Sequence, residues 1–341
     1  MRVAIARNHN HTGVINRFGQ TCREEYDRDA VERIVAALQE GGHETLLCEA
    51  DKGLLATLER FMPPDPQARP AGIVFNLANG IQGECRLSHV PAMLELAGVP
   101  YTGAGPLGNA LALDKVITKT LMRDRGVPTP NFRVMRSGTE ASYDLRFPVV
   151  VKPRSESTSF GLQVVHEPAQ LRQAVEAIVT RYAQDALVEE YIEGREIYVG
   201  LLGNGDPETL PLVEQDFGDR AMRIFTNEDK ERMALAPICP AKVDSKLATM
   251  LQDMSVATFR ACECRDYARV DIRIDRSGQP FVLEINSIPA LRGIYVQAAT
   301  TAGYSFSSLI NRILDVAHKR YFGVAVPQSE CAPTRDESAP H

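Results

Sequence analysis

Two acidic residues on facing strands of one hairpin are the first chemistry this chain offers. Residues 269–274 read Arg-Val-Asp-Ile-Arg-Ile, a turn runs through Asp275 to Pro280, and residues 281–286 read Phe-Val-Leu-Glu-Ile-Asn. Period-two alternation on both sides of a Gly/Pro turn predicts a β-hairpin. Pairing Ile274 with Phe281 sets Ile272 against Leu283 and Val270 against Ile285 on an apolar face. The other face then carries Asp271 opposite Glu284 and Arg269 opposite Asn286. Two carboxylates about 5 Å apart repel by roughly 3 kcal/mol at an effective dielectric near 20. A divalent cation between them removes the conflict, and hard oxygen ligands with few protein contacts suit Mg²⁺, which also holds substrate phosphates. Without metal, loss of either acid should raise folding stability, because a like-charge pair has gone. The bland alternative is a solvated acidic face whose charges spread apart.

A second candidate is Val149-Val-Val-Lys152-Pro-Arg-Ser-Glu-Ser-Thr-Ser-Phe-Gly161. It reads as a strand, a basic residue and a loop of small hydroxyl residues. Backbone N–H groups of such a loop can nest an anion while Lys152 adds a point charge; otherwise it is a polar hairpin turn. Gly103-Ala-Gly-Pro-Leu-Gly108 matches the dinucleotide fingerprint by letter. It does not follow the first strand of a βαβ unit, and Pro106 suits a helix start, so dinucleotide binding is not read from it. Leu187 to Glu196 joins a strand to a Gly turn and reads as a domain hinge. His9 and His11 are polar-loop residues, and Cys239-Pro240 ends a core strand.

The elements that must position these groups alternate. Strands are expected at Val3–Ala6, Glu44–Cys48 and Ile73–Leu77, with helices at Glu25–Glu40 and Val90–Ala97, which implies a parallel, doubly wound first domain. The stretch 61–70 reads as a loop. Asn109–Arg125 reads as one helix ended by Gly126 and Pro128. Strands follow at Phe147–Lys152, 162–166 and 187–192, with a helix at 168–182. A strand-rich third part holds Glu196–Leu202, Thr209–Glu214 and the hairpin, with a helix at 244–263 and a last helix at Ser305–Lys319. The expected fold class is α/β in three domains, at 1–105, 106–192 and 193–323, with a disordered Pro/Ser/Glu-rich tail at 324–341.

The 341 residues, 44% hydrophobic, suffice for two or three domains with sizeable cores. A net charge of −6 without a long basic run argues against nucleic acid and anionic membrane as partners. Seven scattered cysteines, with CxC at Cys262–Cys264, point to reduced thiols and a cytoplasmic location. The apolar start at Met1 is too short for a signal peptide or a membrane span.

Nine segments in this order resemble the ATP-grasp ligases, and within them the D-alanine–D-alanine ligases. They are Phe75–Gly80, Gly98–Gly105, Leu113–Lys115, Gly126–Pro130, Val151–Pro153, Glu189–Glu196, Cys239–Ala241, Ala268–Asp271 and Leu283–Pro289. The match covers roughly three-quarters of the chain, from Ile73 to Lys319. The resemblance implies an ATP-grasp fold: a parallel N-terminal domain, a small central α+β subdomain and a C-terminal antiparallel-sheet subdomain, with ATP between the last two. It makes Lys115 and Lys152 phosphate-binding lysines, and Glu189, Glu190, Tyr191 and Ile192 the adenine hinge. Glu196 would hold the ribose hydroxyls. Glu156, Ser157, Thr158 and Ser159 would form the closing phosphate loop. Lys230 resembles a lysine that a mobile loop carries to the γ-phosphate. Asp271, Glu284 and Asn286 become ligands for two Mg²⁺ ions, with Mn²⁺ as the other candidate. Arg269 and the backbone near Ala290 would stabilise an oxyanion.

The chemistry so implied has two steps: a carboxylate attacks the γ-phosphate to give an acyl phosphate, and an amine displaces phosphate to give an amide. The departures lie in the amino-acid half. The family's Gly-Gly, Ser and amine-holding Glu after the first strand are absent from Asn8–Gly13. Asn79 replaces a His, Glu231 follows Lys230 where Tyr is expected, and Ala290 replaces a Gly. The phosphate loop reads Glu156-Ser157-Thr158 rather than Glu-Gly-Ser. Tyr295 stands where a carboxylate-binding Ser falls, as an aromatic wall, and Arg292 is either a clamp for an acidic group or a solvated loop arginine. The expectation is a cytoplasmic homodimer joining two small amino-acid-like substrates that are not two D-alanines, in specialised metabolism, as in a mycosporine-type ligase. The alternatives are a D-alanine–D-alanine ligase, a phosphotransferase, and a nucleotide-binding regulator without turnover.

Overall fold

The computed structural model describes residues 1–9, 14–16, 22, 24, 26–67, 70–140, 144–220, 222–224 and 236–323. The expectations for His11, Lys230, Glu231 and the tail at 324–341 lie outside the described residues. Strands β1 (Arg2–Arg7), β2 (Glu44–Glu49) and β3 (Gly72–Asn76) form a parallel sheet in the order β2-β1-β3. Their apolar runs are buried on both faces, as parallel strands covered by helices must be. Helix α1 (Arg28–Glu40) covers one face, and α2 (Leu54–Phe61) with α3 (Arg86–Leu96) covers the other. Helix α2 lies in the stretch just before the expected loop, its turn buried through Leu54 and Leu58.

The expected single helix at 109–125 is two. Helix α4 (Pro106–Leu113) stops at Asp114, whose carboxylate accepts from Val116 and Ile117 N–H at 3.0 and 3.1 Å and so caps α5 (Lys115–Asp124). Strands β4 (Phe132–Met135), β5 (Val149–Pro153), β6 (Gln163–Val165) and β7 (Ala186–Glu190) form an antiparallel sheet, β4-β7-β5-β6, backed by α6 (Pro168–Tyr182). The third sheet runs β11 (Pro237–Ile238), β10 (Val213–Gln215), β8 (Gly194–Leu202), β12 (Tyr267–Asp275), β13 (Pro280–Asn286), with β9 (Glu208–Thr209) beside β8. The expected strand 209–214 is split at Pro211, which has no N–H for a ladder. Helix α7 (Ser245–Ala261) packs on one face of this sheet. Helices α8 (Ile294–Thr301) and α9 (Phe306–Phe322) pack on the other, in a core shared with α1 and β1. Among the described residues no helix is long and apolar enough to cross a membrane, and no cysteine forms a disulfide.

Buried Asp266 ties these parts together. It accepts from Gly103 N–H at 2.8 Å, Asn204 Nδ2 at 2.7 Å, and Arg320 Nε and Nη2 at 3.0 and 2.8 Å.

Candidate active site

The hairpin holds its inner register and loses its outer one. Arg269 pairs with Asn286, Val270 with Ile285 and Asp271 with Glu284, as the alternation requires. A bulge then leaves Leu283 unpaired, so Ile272 faces Val282, Arg273 faces Phe281 and Ile274 faces Pro280. The cause is tertiary: Val282 N–H donates to the Pro128 carbonyl at 2.8 Å instead of serving the hairpin ladder. The two carboxylates are therefore opposed, but each already has a cation. Arg269 grips Asp271 in a fork at 2.7 and 2.8 Å, and Lys115 Nζ lies 3.4 Å from Glu284 Oε2. Asn286 Nδ2 donates to Asp271 Oδ2 at 3.3 Å, which leaves its amide oxygen as a ligand. Among the described residues no three His, Cys, Asp or Glu side chains converge. The donor set is two carboxylates and an amide, which fits a hard divalent cation that keeps open positions for phosphate oxygens.

Facing the hairpin is the central sheet. Lys152 on β5 and Glu189 on β7 form a buried ion pair, and Lys119 on α5 reaches the same carboxylate at 2.7 Å while donating to Thr129 Oγ1 at 2.9 Å. Burial works to raise the Glu189 carboxyl, and the joint pull of Lys119 and Lys152 outweighs it, so the group sits below its ordinary value. Burial lowers Lys119 to about 8 against the upward pull of Glu189. Lys152, buried too, is held above its ordinary value by Glu189 and Glu284. The Glu189 side chain thus serves the lysines rather than an adenine hinge. Glu190 points to the opposite face, as strand alternation dictates. Its carboxylate is committed to Arg146 at 2.7 Å, so its side chain does not reach the cleft. Glu196 Oε2 lies 3.1 Å from buried Arg273, whose guanidinium also stacks 5.0 Å from the Tyr191 ring, next to buried Ile192.

The loop after β5 borders the cleft through Glu156 and Ser157. Lys115 Nζ donates to the Glu156 carbonyl, and Thr158 and Ser159 both have left-handed backbone, with φ of 52° and 59°. Such a conformation is strained for a β-branched residue and costs on the order of 1–3 kcal/mol.

The cleft is lined by Glu24, Asn79, Lys115, Glu156, Ser157 and Glu284 among others. A smaller adjoining one, sharing Glu24, Asn79 and Ile288 with it, is lined also by Tyr26, Ala290 and Arg292. Arg292 is exposed and pairs with Asp27 at 3.0 Å. Tyr295 is not a wall of the site. It is 1% exposed, packs edge-on against Tyr267 and donates its hydroxyl to the Leu201 carbonyl at 2.9 Å, because that face of α8 lies on the third sheet.

Sequence reasoning missed Glu24, Lys119 and Arg86. Placing the start of the first helix at Glu25 hid Glu24. Asp27, whose carboxylate accepts from Ala30 N–H at 2.7 Å, caps α1 three residues later and leaves Glu24 in the loop. Ser157 Oγ donates to Glu24 Oε2. So an acid does follow the first strand, further along the chain than Asn8–Gly13. Lys119 lies four residues from Lys115, a spacing that puts both on one helix face.

A family model described as the D-ala D-ala ligase C-terminus matches residues 121–315. An uncharacterized protein of Sinorhizobium fredii is 67% identical over 331 residues, covering 95% of this chain and 98% of its own length. The D-alanine–D-alanine ligase of Desulforudis audaxviator is 30% identical over 312 residues, 89% of this chain and 97% of that protein. The crystal structure of the Bacillus anthracis D-alanine–D-alanine ligase complexed with ATP superposes with a TM-score of 0.73 at 21% identity, covering 94% of this chain and 98% of that one.

Proposed function

We propose, from the premise that this chain belongs to the D-alanine–D-alanine ligase family of ATP-grasp proteins, that it is an ATP-dependent carboxylate–amine ligase. The observation that carries the reading is one cleft with two halves. One half is lined by Lys115, Glu156, Ser157, Glu284 and Asn286, with Asp271 paired to Glu284 across the hairpin and buried Lys152 drawn toward Glu189 and Glu284. The other carries Glu24, Asn79 and Arg292. The first half suits a nucleotide triphosphate, the second a zwitterionic amino acid.

In this reading Lys115 and Lys152 neutralise phosphate oxygens, and the backbone N–H groups of 157–159 cradle the transferred phosphoryl. The Tyr191–Ile192 hinge and Glu196 hold the nucleoside, and Lys230 is a proposed further phosphate contact. Asp271, Glu284 and Asn286 would hold Mg²⁺, which would supply neutralisation of phosphate charge when bound. A substrate carboxylate oxygen attacks the γ-phosphorus as the bond to ADP breaks. The amine of the second substrate then attacks the acyl carbon, loses a proton, and phosphate leaves. Arg269, forked onto Asp271 and lying over the Tyr198 ring at 5.3 Å, would stabilise the oxyanion of that second step.

The preferred substrates are amino-acid-like and larger than D-alanine, with Arg292 as the group that meets an acidic substituent. A second reading, D-alanyl-D-alanine synthesis, gains from Glu24, a carboxylate placed where a substrate ammonium needs one. Mass spectrometry of products from ATP with D-alanine and with a panel of larger amino acids separates them. Efficient D-alanyl-D-alanine formation overturns the first reading. A stable phosphate ester with no amide overturns both.

A further inference from the structure

Arg86 is the first residue of α3 and 4% exposed. A cation at that position faces the positive end of the helix dipole, and a buried guanidinium needs its fork of donors satisfied. Besides Cys22 and Glu24 near it, the partners it finds lie in the loop after β5, beyond its own sheet. Nη1 donates to the Ser155 carbonyl at 3.0 Å, Nη2 donates to Ser157 Oγ at 3.0 Å, and Nη2 lies 3.5 Å from Glu156 Oε2. One side chain of the N-terminal layer thus contacts three successive residues of the loop after β5. On the other side of that loop, Gln184 accepts from Ser155 N–H at 2.9 Å and donates to Glu156 Oε1 at 3.0 Å. Ser157 in turn donates its hydroxyl to Glu24 Oε2, which lines the same cleft. The next two residues, Thr158 and Ser159, hold left-handed backbone, which persists only where the surroundings impose it.

We propose that Arg86 is a positioning residue that clasps the 155–159 loop to the N-terminal layer, setting the loop's anion-binding shape before nucleotide arrives. The inference rests on the reading of 156–159 as a phosphate loop, and not on which amide is made.

The test is hydrogen–deuterium exchange on the full chain, free and with Mg²⁺ and a non-hydrolysable ATP analogue, alongside calorimetric titration of that analogue. Arg86→Lys keeps the charge but loses the fork, and Ser157→Ala removes one acceptor. Arg86→Lys should raise exchange across 155–161 in the free protein about 10-fold and weaken analogue binding about 10-fold, with exchange in β1–β3 unchanged. Ser157→Ala should shift both in the same direction by less. Unchanged loop exchange in Arg86→Lys overturns the clasp, and so does a rise spread evenly over the N-terminal sheet, the mark of a merely structural role. If the analogue fails to bind the unmodified protein, the nucleotide reading falls, and loop exchange in the free protein still judges Arg86.

Discussion

Asp271→Asn and Glu284→Gln each remove one charge from facing positions of one hairpin, yet they should differ in stability. Asp271 accepts from Nε and Nη2 of Arg269, with side-chain exposures of 10% and 17% for the acid and the arginine. Its loss strands a buried cation, and breaking one partner of a buried pair costs about 3–5 kcal/mol. Residual solvent and the Tyr198 ring against Arg269 reduce this, to about 3 kcal/mol. Glu284 sits 3.4 Å from Lys115 and is 25% exposed. Its attraction to Lys115 is about 5 kcal/mol at an effective dielectric near 20, and its repulsion from Asp271 about 3, with opposite sign. Solvent screens both, so the net change is under about 1 kcal/mol. The simple like-charge argument, that removing either acid stabilises the chain, is thus corrected by the two cations. Scanning calorimetry in EDTA should show Asp271→Asn melting on the order of 5 °C lower and Glu284→Gln within about 2 °C of the parent. Both should lose ATP turnover by orders of magnitude when Mg²⁺ is restored. Equal melting shifts in the two variants would refute the ion-pair accounting, and near-parental turnover in either would remove it from the metal site.

Glu24→Gln should raise the Michaelis constant for the amine-bearing substrate about 10- to 100-fold and leave that for ATP unchanged, since a charge-assisted hydrogen bond contributes about 1.5–3 kcal/mol; steady-state kinetics with each substrate varied checks this. Lys119 titrates near 8 in the folded chain and near its ordinary 10.5 when unfolded. Between those values the unfolded chain binds more protons, so this group's contribution to stability rises with pH from about 8 to about 10. In urea melts across that range, Lys119→Met should lack the rise, measured as a difference from the parent. Asp266→Asn keeps a side chain that tolerates the left-handed backbone there, φ 66°, but removes the charge that Arg320 answers. It should destabilise by about 3 kcal/mol, seen as a lower melting temperature with no change in Michaelis constants at 25 °C.

The inner half of the hairpin was legible because alternation and the placement of the turn both specify it. Its outer half was not, because the bulge at Leu283 answers to Pro128, some 150 residues away in sequence. Capping chemistry was the signal most often under-read: Asp27 and Asp114 set helix boundaries that apolar periodicity alone runs through, and the first error concealed Glu24. Lys115, Lys152, Asp271 and Glu284 stood out by residue type and spacing. Lys119 and Arg86 did not, since a buried cation is recognised by what surrounds it. Tyr295 shows the converse: position in a motif suggested a site wall, while the face of α8 that carries it is core.

Isotope transfer tests the central claim most directly. Carboxyl-¹⁸O-labelled amino-acid substrate, an accepted amine, Mg²⁺ and ATP are turned over, and phosphate and nucleotide products are weighed. Attack of carboxylate on the γ-phosphate predicts one ¹⁸O atom in each inorganic phosphate, with ADP unlabelled and one amide per phosphate. Label in AMP, or unlabelled phosphate beside the amide, would contradict an acyl-phosphate route.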